Sequence, residues 1–149
     1  MVGNPYMMYW DNGEKKREEW YLNGKYHRED GPADTWYYEP GQVQREVWYL
    51  NDELHRIDGP AYINYSEFGK LQRESWHSNN KFHRADGPSN ICYYTTGKIK
   101  REIWYLNDKL LSGAKLEEYK IWLIDHNLYN KSYHIWLDEE RVLWRLTWM

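Results

Sequence analysis

The sequence predicts a mainly β fold, an elongated antiparallel meander sheet of stacked 28-residue hairpin repeats, with two short C-terminal α-helices packing on or capping the sheet. Three observations predict it. Trp20, Trp48, Trp76 and Trp104 recur at that interval, as do Gly13, Gly41, Gly69 and Gly97 and the Arg-Glu pairs that begin at Arg17, Arg45, Arg73 and Arg101. The motif His-Arg-x-Asp-Gly-Pro returns at 27–32, 55–60 and 83–88. After it fails to return a fourth time, the apolar period changes from 2 to 3.6. Self-similarity at a fixed spacing marks a stacked-repeat architecture, and such a chain usually works as a surface.

In the second unit, Arg45-Glu46-Val47-Trp48-Tyr49-Leu50 alternates and reads as one strand, with Glu46, Trp48 and Leu50 on one face and Arg45, Val47 and Tyr49 on the other. Asn51-Asp52 follows, matched by Asn23-Gly24, Asn79-Asn80 and Asn107-Asp108. These residue types tolerate the positive φ that a type I′ hairpin turn requires at both central positions. Glu53-Leu54-His55-Arg56 returns as a partner strand, which Asp58-Gly59-Pro60 breaks or kinks. The chain resumes extended from Ala61 and turns at Phe68-Gly69, as the other units do at Asn12-Gly13, Pro40-Gly41 and Thr96-Gly97. Each unit is therefore expected to add two long strands and to be displaced by roughly 10 Å from the last.

Where a fourth motif should stand, the chain reads Leu110-Leu111-Ser112-Gly113-Ala114. Leu116, Tyr119 and Leu123 then form a helical stripe beside Trp122. Residues 127–131 read as a loop, and Asp138 is placed to cap a last helix with Val142, Leu143 and Leu146 on one face. The organisation is thus a β-repeat domain over 1–113 and a helical cap over 114–149, in one folding unit. A solenoid needs its terminal unit covered, and a single-layer sheet needs something packed on it.

Composition narrows the function classes. Of 149 residues, fifteen are Tyr, ten Trp and only two Phe. Tyr and Trp pair an apolar body with a polar tip, which suits thin layers and interfaces more than a thick dry core, in keeping with a mean hydropathy of -1.04. A net charge of -3 and a pI near 6.1 give no global basic field, so nucleic acid is a disfavoured partner. Cys92 is alone and forms no intrachain disulfide. No run approaches the roughly 18 apolar residues of a membrane span, and Met1-Val2-Gly3-Asn4 lacks the charged and apolar regions of a signal peptide. A cytoplasmic protein without a membrane partner is expected.

The pattern Trp-Tyr-Leu-Asn-x-Lys-x-His-Arg-x-Asp-Gly-Pro resembles a longer variant of the MORN repeat, in which hairpins with an aromatic strand and an Asn-Gly-type turn stack into an elongated sheet. The likeness covers roughly residues 6–113 and is closer to repeat proteins of tailed bacteriophages and large DNA viruses. The tail from Asp138 to Trp148 is similar to the ends of small phage-encoded proteins. The resemblance implies an interaction platform, encoded by a phage and acting in the host cytoplasm. Asp-Gly-Pro stands where MORN has Gly-x-Gly, so MORN lipid binding and dimer geometry do not carry over.

The chemistry of the motif admits several roles. His27, His55 and His83, each with an Asp three residues on, invite a metal reading. Zinc ligands lie about 2.0–2.2 Å from their ion, whereas equivalent atoms of successive units are roughly 10 Å apart, so neither a metal nor a cofactor is expected. Arg28, Arg56 and Arg84 sit two residues from Asp30, Asp58 and Asp86, close enough to pair across a turn that Gly31-Pro32, Gly59-Pro60 and Gly87-Pro88 direct. Recurrence in every unit favours a building role. The same His and Arg row is also a candidate grip for phosphates or carboxylates. Trp20, Trp48, Trp76 and Trp104 are expected to form a core seam under the helices. His77 and Trp36 break the repeat, His77 replacing a tyrosine and Trp36 standing where later units have Asn64 and Cys92, and are candidate binding residues. Cys92, in the apparent strand Ile91-Cys92-Tyr93-Tyr94, reads as a small buried side chain rather than a reactive thiol.

No nucleophile arrangement, phosphate-cradling loop or His-Glu-x-x-His motif stands out in the sequence. The expected function is a non-catalytic protein-binding module that docks on a host protein, as part of a defence or otherwise, and inhibits or redirects it. A sponge for a nucleotide-like signal, with aromatic faces on the base and Arg28, Arg56 or Arg84 on phosphate, is the first alternative. A structural component that self-associates through edge strands near Tyr6 to Trp10 is the second.

Overall fold

Two kinds of turn alternate along the chain, and together they set the architecture. The computed structural model describes residues 5–130 and 138–148. Its strands are β1 (Tyr6–Tyr9), β2 (Lys15–Glu19), β3 (Tyr21–Leu22), β4 (Lys25–Tyr26), β5 (Asp34–Tyr37), β6 (Val43–Val47), β7 (Tyr49–Leu50) and β8 (Glu53–Leu54), followed by β9 (Tyr62–Tyr65), β10 (Leu71–Ser75), β11 (His77–Ser78), β12 (Lys81–Phe82), β13 (Asn90–Tyr93), β14 (Ile99–Leu106) and β15 (Lys109–Leu111). Two helices follow, α1 (Gly113–Asp125) and α2 (Asp138–Trp148). Nine strands form an antiparallel meander in the order β1-β2-β5-β6-β9-β10-β13-β14-β15, and β3-β4, β7-β8 and β11-β12 are short hairpins outside it.

The expectation of two long strands per unit is corrected here, because the chain leaves the main sheet at Trp20, Trp48 and Trp76. Trp48 donates its backbone N–H to the Ala61 carbonyl at 2.7 Å, and its own carbonyl accepts the His55 N–H at 3.2 Å. It thereby closes the main ladder and the hairpin at once, and the strand turns a corner. Trp20 and Trp76 do the same with Ala33 and His27, and with Ser89 and His83. Each of these units adds two main strands and a projecting hairpin. In the fourth unit the strand runs through, with β14 paired to β13 over its first half and to β15 over its second.

Both sets of expected turns are present. Asn23, Asn51, Asn79 and Asn107 have φ between 49° and 53°, and the residues after them between 63° and 76°, as type I′ turns require. At the other end of the strands, Gly13, Gly41, Gly69 and Gly97 take φ of 70–86°, and the ladder shifts register beside each turn.

The hairpins bond to one another and form a second row beside the main sheet. Arg28 N–H meets the Tyr49 carbonyl at 3.1 Å and Asp52 N–H the Tyr26 carbonyl at 3.0 Å, a pattern repeated at Arg56 and Asn80 and at Arg84 and Asp108. Turn side chains add to this grip. Asp52, Asn80 and Asp108 accept the backbone N–H groups of Tyr26, Leu54 and Phe82 in the preceding unit, each at 2.8 Å. The first turn has no earlier unit to hold among the described residues, and there Gly24 meets the φ requirement alone.

The helices close the C-terminal end of the stack. Tyr119, Leu123, Leu128 and Trp144 bury against Ala85, Trp104, Leu106 and Leu111, with Leu116 and Trp122 packed around them. The Tyr119 hydroxyl donates to the Ala85 carbonyl at 2.5 Å and accepts the Trp144 indole N–H at 2.8 Å. Lys120 lies 5.5 Å over the Trp104 ring. The cap thus occupies the place of the missing fourth motif. A 13-residue helix is ~20 Å long and covers this end without running along the stack. The tryptophan seam is corrected accordingly: Trp104 is 2% exposed beneath the helices, while Trp20, Trp48 and Trp76 are half-buried elsewhere. Among the described side chains of α2, Trp144 is buried and Leu143 is 41% exposed. The expectations for an Asp138 cap, for Val142 and Leu146, and for Lys131 lie outside the described side chains. No helix among the described residues is long and apolar enough to cross a membrane.

Candidate functional site

The motif loops line up on the side of the sheet that carries Glu18, and their geometry shows what the motif builds. Each arginine lies flat on its unit's tryptophan, with Arg28 4.2 Å from the Trp20 ring and Arg56 and Arg84 each 4.0 Å from Trp48 and Trp76. The other side of each guanidinium rests on the motif glycine. A Cβ at Gly31, Gly59 or Gly87 would come within 2.8–2.9 Å of the arginine Cζ, so a larger residue there would have to displace the guanidinium. Arg28, Arg56 and Arg84 donate Nε–H to Asp30, Asp58 and Asp86 at 2.8, 2.9 and 3.2 Å. Arg56 and Arg84 also reach the carbonyls of Pro60 and Pro88. Each motif is a Trp-Arg-Gly sandwich pinned by an aspartate.

The histidines connect units. His27 Nδ1 meets the Asn51 side chain at 3.0 Å and His55 Nδ1 that of Asn79 at 2.9 Å. His83 stands beside Asn107 without reaching good hydrogen-bond geometry, and its ring instead meets Trp144 edge-on at 5.9 Å. Burial holds the His83 pKa below its ordinary 6.5, against the pull of Asn107 and Asp86.

Tyrosines and glutamates form a second ladder on this face. Tyr37, Tyr65 and Tyr93 donate their hydroxyls to Glu18, Glu46 and Glu74 at 3.4, 3.1 and 2.5 Å. Burial first, and then the neighbouring carboxylates, push Tyr37 and Tyr65 up to about 12 and raise Tyr93 as well. An unfolded tyrosine releases its proton near pH 10, and these folded ones do so later. Their contribution is therefore complete below about pH 10 and is lost as pH rises towards about 12. Thermal unfolding across that alkaline window should show a falling melting temperature, and Tyr65→Phe should make the fall shallower.

The two residues that break the repeat make their contacts inside the molecule, though His77 Nδ1 is buried without a hydrogen-bond partner among the described residues and His77 lines the groove between the second and third loops. Trp36 lies on the opposite face between Arg17 and Arg45, 4.4 and 5.0 Å from its ring, and donates its indole N–H to Asp34 at 3.0 Å. His77 is 7% exposed, with Nε2 3.0 Å from the Ser75 hydroxyl and its ring tilted on Phe82. Trp36 thus stands apart from the motif loops, whereas the structure does bring His55, Arg56, His83 and Arg84 together. No group of three or more metal-ligating side chains occurs among the described residues.

Between successive loops run two open grooves. One, of ≈580 Å³, lies between Arg28 to Gly31 and His55 to Asp58, and the other, of ≈400 Å³, between the second and third loops. Ile57 lines both and is 72% exposed. It occupies the variable motif position, where the other units have Glu29 and Ala85. Sequence reasoning passed over it, although a large apolar residue at that position was visible. The chain matches no family model, no curated protein and no solved structure.

Proposed function

We propose that the protein is a non-catalytic protein-binding module whose partner seats on the motif-loop edge around Ile57. The observation that carries this reading is the contrast between Ile57 and its surroundings. The recurring Trp, Arg and Asp groups, with His27 and His55, are engaged within and between units, while a large apolar side chain stands in water between two grooves. Anchors of binding surfaces are apolar or aromatic groups ringed by polar contacts, and exposed Glu29, Asp30 and Asp58 supply such a rim. The likeness to phage repeat proteins supports a phage-encoded accessory protein that inhibits or redirects a host protein in the host cytoplasm.

The test is affinity capture of the tagged protein from a bacterial lysate, with native mass spectrometry of the eluate, for the wild type and Ile57→Asp. The expected result is a stoichiometric protein partner that the variant loses at an unchanged melting temperature. A small bound mass without protein would move the reading to the nucleotide sponge, for which Trp48 and Arg56 line the larger groove. Large homo-assemblies would move it to an assembly component paired through β1.

A further inference from the structure

The main sheet ends in two very different edges. At one end, β1 carries only Tyr6, Met7, Met8 and Tyr9 and has no charge. At the other, β15 pairs with β14 only across Trp104, Tyr105 and Leu106. Among the described residues the first half of β14 therefore has a strand neighbour, β13, on one side alone. This open half is exposed on both faces and, with Lys98 in the turn before it, carries a net positive charge, Lys98, Lys100 and Arg101 outnumbering Glu102. Lys98, Ile99, Lys100 and Arg101 all face water, Ile99 with 53% of its surface. The side chains of Lys98, Lys100 and Arg101 make no ion pair or hydrogen bond among the described residues, and Lys100 lies 5.8 Å over the Tyr94 ring.

The neighbouring strands extend the positive surface. Arg101 sits beside Cys92, and Cys92 beside Arg73, so the two arginines share a face across one strand. Arg17 and Arg45 belong to the same 28-residue row and meet Asp34 at 2.7 and 3.6 Å. The position of Asp34 is taken by Asn90 two units later, and Arg73 bonds to this neutral side chain at 3.2 Å. Glu19 is likewise replaced by Ser75 and then Ile103. The carboxylates Glu19 and Asp34 are thus confined to the start of the row, their positions already being Val47 and Tyr62 one period on, while every arginine is kept.

We propose that the first half of β14 is a β-augmentation site for an acidic, extended segment of a partner protein. An exposed strand edge offers main-chain donors and acceptors to an added strand. Lysines on such an edge repel a second copy of it, and they leave a carboxylate-bearing strand as the compatible neighbour because opposite charges across a strand pair attract. Arg101 then faces the acidic side chains on one surface, with Arg73 adding positive charge two strands further in, and Lys100 faces them on the other. This inference goes beyond the Ile57 surface and stands on different residues.

The experiment is fluorescence anisotropy of the purified full chain with three labelled peptides. One alternates glutamate and valine, one alternates lysine and valine, and one keeps the glutamates but replaces valine by proline, which removes main-chain donors. The glutamate-valine peptide should bind, more weakly as salt rises, and the other two should not. Lys98→Glu combined with Lys100→Glu should weaken binding at least about tenfold, with the melting temperature as a check on folding. Ile57→Asp should leave this binding unchanged, which separates it from the loop-edge reading. Equal binding of the proline peptide would reduce the site to charge attraction and overturn the proposal. Undiminished binding by the double variant, or no binding by the glutamate-valine peptide, would also overturn it and leave the lysines as a guard against edge pairing.

Discussion

Trp104→Ala should cost about 3–5 kcal/mol, the range for deleting a large aromatic side chain from a packed core. Trp104 is 2% exposed and lies where the last strand of the repeat stack meets the helices. Tyr119 meets its ring edge-on at 6.3 Å and Tyr129 lies 5.9 Å away. Lys120 covers it as Arg28, Arg56 and Arg84 cover the other tryptophans. The indole N–H also holds Glu102 at 3.3 Å. Its removal leaves a cavity between two kinds of architecture that cannot collapse onto each other, so the cap should detach before the sheet unfolds. Chemical denaturation followed by hydrogen exchange checks both points. A loss below about 1 kcal/mol, or equal loss of protection in β5, β6 and β14, would mean that the cap does not depend on this residue.

Asp86→Ala should cost about 2–3 kcal/mol, while Asp58→Ala at the same motif position should cost less than about 1. The difference follows from burial. The Asp58 side chain is 65% exposed and that of Asp86 is 7% exposed. Asp86 takes two hydrogen bonds from Arg84, at 3.2 Å each, and its backbone carbonyl accepts the Asn130 N–H at 2.7 Å. Removing its carboxylate strands a guanidinium that is only 14% exposed, whereas water can replace much of what Asp58 supplies. Equal melting-temperature losses for the two variants would show that burial does not set the cost.

The fold class, the two turn families and the repeat boundaries could be read from spacing because each repeats a backbone requirement, namely positive φ at the four pairs that begin with Asn23, Asn51, Asn79 and Asn107 and at Gly13, Gly41, Gly69 and Gly97. The corner at Trp20, Trp48 and Trp76 could not. Alternation continues through it, with Trp20 still beside Glu18 and Tyr21 beside Glu19, so the residue pattern of a bent strand matches that of a straight one. The helices' position was hidden for a different reason. Their apolar stripe shows that they are covered, and only the packing of Tyr119 and Lys120 against Trp104 shows by what. The pairing of arginine with aspartate was legible in their spacing, but the stacking of tryptophan and glycine on either side of arginine was not, since it depends on a loop folding back on its own strand. Ile57 was in view but carried no signal until the groups around it proved to be occupied.

That occupation is the central claim, and a double-mutant cycle on Arg56 and Gly59 tests it most directly. Gly59 has no positive φ to protect, so alanine there should by itself reduce the freedom of the unfolded chain and stabilise by about 0.4–1 kcal/mol. In the native sequence its Cβ would meet Arg56 Cζ at 2.9 Å and lift the guanidinium from Trp48. Gly59→Ala should therefore destabilise the wild type by about 1–2 kcal/mol, through lost stacking and charged hydrogen bonds, yet be neutral or stabilising in an Arg56→Ala background. The same sign and size in both backgrounds would contradict the sandwich and return the arginine row to the surface as a set of groups free to bind.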